Sequence, residues 1–99
     1  MDLKELQRCL GSGQNPYIDI QDPKTVLLHY VEEVGELIHK LRKDRPITEI
    51  KNELGDNMIL LCFVAEALQL DLDECTRKKI AENIAKGKFK PELHTEWFD

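Results

Sequence analysis

Two short stretches gather carboxylates in apolar surroundings. "VEEVGELIHKLRK" carries Glu32, Glu33 and Glu36, and "IKNELGDNMILLCFV" carries Glu53 and Asp56. Each contains an acid-x-x-acid step. Successive helical residues turn through about 100°, so acids three apart project side by side. If both stretches are helices packed antiparallel through a short turn, Glu33 and Glu36 can meet Glu53 and Asp56. Four carboxylates in one place repel strongly at low dielectric. A divalent cation between them offsets that repulsion, and an all-oxygen ligand set suits Mg²⁺ or Mn²⁺. A single ExxE reads more simply as a solvated face with partners such as Glu36–Lys40. Two such pairs beside strong apolar stripes favour the metal site. Glu53 and Asp56 abut an apolar run, where like charges are costly unless they bind something.

A second group lies downstream. Lys79, Asn83 and Lys86 fall at i, i+4 and i+7 and so share one helix face. Two cations and an amide on one face can hold phosphate oxygens. Lysines near a helix end also offset its dipole, and for Lys86 the two readings are evenly matched. His29 shares the polar side of its helix with Glu33 and Glu36 and reads as a surface residue. His39 and His94 have no companion at metal-ligand spacing. Trp97 reads as a packing anchor for the tail. No nucleophile has a base partner in sequence, so covalent catalysis lacks support.

The elements that must position these groups are helical throughout. Asp2 with Glu5 starts a short helix over 2–10, stopped at Gly11. Residues 11–22 form a loop. Asp22-Pro23 places an N-cap before a first-position proline. Val26, Leu27, Tyr30, Val31, Val34, Ile38 and Leu41 then recur at three- and four-residue steps, giving a helix over 23–43 with its stripe centred on Leu27, Val34 and Leu41. Asp44-Arg45-Pro46 ends it. Thr48 caps a helix over 49–70, whose middle, "MILLCFVA", is apolar on all sides. Such a run belongs at a bundle centre or a subunit interface, with Leu60, Leu61 and Phe63 in a shared core. Asp71 to Glu74 caps a helix over 73–86, closed by Gly87. Residues 88–99 form a tail whose aromatic residues suggest docking.

The chain has 99 residues, which fits one domain over 1–99, with its core helices within 23–87. Its net charge of -5 disfavours nucleic acid as a partner. Three cysteines without a CxxC pair suggest neither a disulfide framework nor a thiolate zinc site. No stretch reads as a secretion signal or a membrane span, so a cytoplasmic protein with no membrane partner is expected.

"EEVGE" followed by "ELGD" resembles the EExxE…ExxD signature of the MazG-like nucleotide pyrophosphohydrolases, and Lys79, Asn83 and Lys86 resemble the family's KxxxNxx(R/K) element. The likeness covers most of residues 26–89. It departs at Lys86, where arginine is common and lysine lacks the bidentate fork. The resemblance implies an all-α bundle of three to four helices completed by oligomerisation, as a homodimer or homotetramer. It also implies Mg²⁺-dependent cleavage of a nucleoside triphosphate to monophosphate and pyrophosphate, in house-cleaning or nucleotide-pool control; Mn²⁺ is a possible substitute. Glu33, Glu36, Glu53 and Asp56 would hold the metal, Glu32 and Glu33 would serve catalysis, and Lys79, Asn83 and Lys86 would bind the substrate's phosphates. Base selectivity would come from the 11–22 loop and the partner subunit. The alternatives are a non-catalytic helical dimerisation module that binds metal, and a phosphoribosyl-ATP pyrophosphohydrolase.

Overall fold

A computed structural model describes residues 2–11 and 22–88. It contains four helices: α1 (Leu3–Leu10), α2 (Pro23–Arg42), α3 (Ile47–Ala67) and α4 (Leu72–Ala85). No strand occurs among the described residues. The 11–22 loop, apart from its ends, and the aromatic residues of the tail lie outside them.

Aspartates start three of the four helices. Asp2 accepts from the Lys4 amide, Asp22 from the Lys24 amide and the Thr25 hydroxyl, and Asp71 from the Glu74 amide. Each satisfies an amide that the first helical turn leaves without a partner. The exception corrects an expectation. α3 begins at Ile47, directly after Pro46, and has no side-chain cap. Instead of a Thr48 cap, Arg45 clasps Glu49 of the first turn through two bonds of 2.8 and 2.7 Å.

The ends of α2, α3 and α4 share one closure. After α2, Asp44 takes a left-handed conformation, and the amides of Asp44 and Arg45 reach back to the Leu41 and Lys40 carbonyls. Gln69 closes α3 and Gly87 closes α4 in the same way. The α2 turn is short enough to lay α3 antiparallel along α2, and this pair is the main helix contact of the molecule. α1 packs on α3, and α4 makes its principal contact with α1.

The core forms where α2 meets α3. Val26, Leu60, Phe63 and Val64 are buried there, with Leu10, Tyr30 and Ala67 packed around them. This places the α2 stripe one residue away from its expected centre. Val26 faces α3, whereas Leu27 and Leu41 are exposed. The apolar middle of α3 also needs less help than expected. Leu60, Cys62, Phe63, Val64 and Ala65 are buried within one chain, Phe63 to 2% exposure, and only Met58 and Ile59 of that run are open. Among the described residues, no helix is long and apolar enough to cross a membrane.

Candidate metal centre

The seam between α2 and α3 changes character along its length. On α2 the positions facing α3 follow a three-four step through Val26, Tyr30, Glu33, Leu37 and Lys40. On α3 the matching positions are Ile50, Glu53, Asn57, Leu60 and Val64. Towards the loop end the seam is apolar core; towards the Lys43–Pro46 turn it becomes polar. Glu33, Glu53 and Asp56 each offer a carboxylate oxygen within 4.8 Å of the others. Glu53 is the buried member, at 5% exposure, and Lys40 Nζ sits 2.6 Å from its Oε1. Asn57 Nδ2 donates to the Glu53 carbonyl at 2.6 Å and reaches the Glu33 carbonyl at 3.5 Å, tying the two helices at the level of the acids.

The electrostatics follow from this crowding. Burial, then the hydrogen bond to Glu53 and the charges of Glu36, Glu53 and Asp56, push the Glu33 carboxyl up to about 7. Glu53 moves the other way. Its hydrogen bond with Lys40 holds it below the ordinary value against the opposing effect of burial, and the hydrogen bond from Glu33 adds to this. Three carboxylates thus share one ammonium, and Glu33 is the one whose surroundings favour its protonated form.

Among the described residues, two buried side-chain oxygens have no hydrogen-bond partner, Glu53 Oε2 and Asn57 Oδ1. An unsatisfied buried carboxylate oxygen is costly, and a native site that keeps one usually binds something there. The three converging carboxylates, one of them with an orphaned oxygen, form a hard, all-oxygen donor set. That set fits Mg²⁺ or Mn²⁺ rather than a soft metal.

The expected acids are therefore brought together in part. Glu33, Glu53 and Asp56 converge. Glu36 is exposed and lies outside this group, although its charge is felt by Glu33. Glu32 also lies outside it, with His29 Nδ1 3.8 Å from its Oε2. The basic block is not brought to the acids within one chain, since α4 packs chiefly on α1. Glu82 lies between its lysines, 3.4 Å from Lys79 and 2.6 Å from Lys86, so this face carries a carboxylate as well as cations. Sequence reasoning missed Asn57 and the role of Lys40. The only signal for either was its spacing, since each falls on the same three-four step as the acids.

A family model of the MazG nucleotide pyrophosphohydrolase domain matches residues 21–90, well over half of the chain. The chain belongs to this MazG family. The match runs from the N-cap of α2 past the end of α4, so it includes both acid motifs and the basic block. No curated protein and no solved structure gave a significant match. Membership of the MazG family accords with an all-helical chain whose carboxylates meet across an antiparallel helix pair.

Proposed function

We propose that this MazG domain is a Mg²⁺-dependent hydrolase that cleaves a nucleoside triphosphate between its α and β phosphates, releasing the monophosphate and pyrophosphate. The observation that carries the reading is the convergence of Glu33, Glu53 and Asp56, with Glu53 Oε2 buried and without a hydrogen-bond partner among the described residues. Those three residues would hold the metal, with Glu36 at the rim. A divalent ion bound there supplies charge neutralisation for the phosphates and lowers the pKa of a bound water.

The chain's own residues supply the rest. Glu33, deprotonated once metal is bound, would accept the proton lost by the attacking water as the water oxygen bonds to Pα and the Pα–O bond to the leaving pyrophosphate breaks. Glu32, one residue away on the exposed side, is the lesser candidate for this step. Asn57 fixes the spacing of α2 and α3 through its two carbonyl contacts. Lys79, Asn83 and Lys86 would steady the phosphates if a second copy presents them, because within one chain they lie on α4. A homodimer, or dimers paired as a tetramer, would provide that arrangement.

The test is pyrophosphate release from a panel of nucleoside triphosphates and phosphoribosyl-ATP, with and without Mg²⁺. Glu53→Gln and Asp56→Asn should each lower the rate at least about a hundredfold, the scale of losing one electrostatic stabiliser of a transition state. Full turnover in EDTA would overturn the assignment. Turnover of phosphoribosyl-ATP alone would replace the substrate class.

A further inference from the structure

The acid centre does not end the polar seam. Glu33, Glu36 and Lys40 on α2 and Lys43 at its C-cap follow one another at three- and four-residue steps, so acids and lysines share one stripe. Beyond Lys40 this stripe opens into a cleft lined by His39, Lys40, Lys43, Arg45 and Glu49. Glu49, the one carboxylate among the described residues of the lining, is already clasped by Arg45 and held below its ordinary value by that bond. Lys43 has no ionic partner among the described residues. The cleft therefore has an excess of positive charge, immediately beside a carboxylate centre.

Lys40 joins the two. Its ammonium lies on Glu53 Oε1 at 2.6 Å, yet its side chain is 30% exposed and forms part of the cleft wall. A divalent ion on Glu53 would repel this ammonium and take over its carboxylate. A lysine is held only at its Cα and has a flexible stem, so the released ammonium can turn towards the cleft.

The geometry points to the His39–Lys40–Lys43 end of the α2–α3 groove as an anion subsite for the outer phosphates of the substrate, with Lys40 exchanging between Glu53 and phosphate as metal binds. The site thereby gains a direction: the pyrophosphate end lies towards the Lys43–Pro46 turn and the nucleoside end towards the N-terminal half of α2. This inference rests on the metal-centre reading above.

The probe is inorganic pyrophosphate, titrated calorimetrically into Mn²⁺-loaded protein at fixed ionic strength. Lys43→Met and Lys40→Met should each weaken its binding about tenfold, the effect of losing one charge-assisted contact. Arg42→Met removes the same charge from the same helix end on another face and should change it less than twofold. In titrations with Mn²⁺ alone, Lys40→Met should bind the ion more tightly, since the competitor for Glu53 is gone. Pyrophosphate binding that is unchanged in both lysine variants, or weakened equally in all three, overturns the subsite. Lys43 is exposed and its side chain makes no hydrogen bond or ion pair among the described residues, so its variant remains informative if Lys40→Met fails to fold. Glu53→Gln separates the two levels. Undiminished Mn²⁺ binding in that variant refutes the metal centre itself, whereas lost Mn²⁺ binding with unchanged pyrophosphate binding in the lysine variants refutes the subsite alone.

Discussion

At the scale of single residues, Glu33 decides how the centre responds to pH. Its ordinary value of 4.5 is raised to about 7, first by burial and then by the neighbouring acids. A raised carboxyl stabilises the fold while it holds its proton. That contribution is complete below the ordinary value and is lost as pH rises through about 7. Metal binding must displace the same proton. Mn²⁺ affinity in the wild type should therefore be about tenfold higher at pH 8 than at pH 6, the consequence of releasing one proton with a midpoint near 7. Calorimetry across that interval measures it directly. Glu33→Gln should flatten the profile and lower the affinity, and a flat wild-type profile would contradict the protonation state assigned to Glu33. Glu53 works in the opposite sense. Lys40 holds it low, so its contribution is present above its ordinary value and fades as pH falls.

At the scale of elements, one buried side chain of α1 carries most of its hydrogen bonding to the rest of the fold. Gln7 is buried; its Nε2 donates to Glu66 Oε2 at 3.0 Å and to the Leu70 carbonyl at 2.6 Å, and its Oε1 accepts from the Leu72 amide at 2.9 Å. It thus clamps α1 to the turn between α3 and α4. Gln7→Ala should lower stability by about 1–3 kcal/mol, the cost of stranding buried polar partners, as read by urea denaturation. A loss within a few tenths of a kcal/mol would mean that water replaces the clamp. Gln7 also marks the limit of what the sequence discloses. The aspartate caps, the proline at the start of α2 and the paired acid spacing were legible, because each is a local signal with one physical cause. Gln7, Lys40 and Asn57 were not, because a lone polar residue on a helical stripe looks the same whether it meets solvent or a neighbouring helix. The stripe error on α2 has a similar origin. Stripes starting at Val26 and at Leu27 are adjacent, and the more apolar one is not the one that packs within the chain. The left-handed Gln69 was equally silent, since glutamine has no special preference for that conformation.

At the scale of the whole molecule, the outward stripe needs an occupant. Leu27, Val31, Ile38 and Leu41 on α2, with Leu54, Met58 and Ile59 on α3, are exposed large apolar side chains. On α2 they sit at the three-four spacing of a coiled-coil seam, with Val34 between them. A helical hairpin carrying such a face has the form of half a four-helix bundle, and we propose that a second copy of the same chain completes it. Phe63 cannot test this, because it already belongs to the core of one chain. Ile38 can, since it is exposed and outside that core. Sedimentation should find the wild type associated at micromolar concentration and Ile38→Asp monomeric, with helical circular dichroism retained. The shared site can then be tested by mixing two inactive variants, Glu53→Gln and Lys79→Ala. If the basic block of one copy serves the acids of the other, a mixed dimer has one site with both lesions and one intact site. Random exchange makes half of the dimers mixed, so about a quarter of wild-type activity should return. If each chain instead used its own basic block, every site in the mixture would carry a lesion. No activity would return, and α4 would have to reach its own acids by a rearrangement.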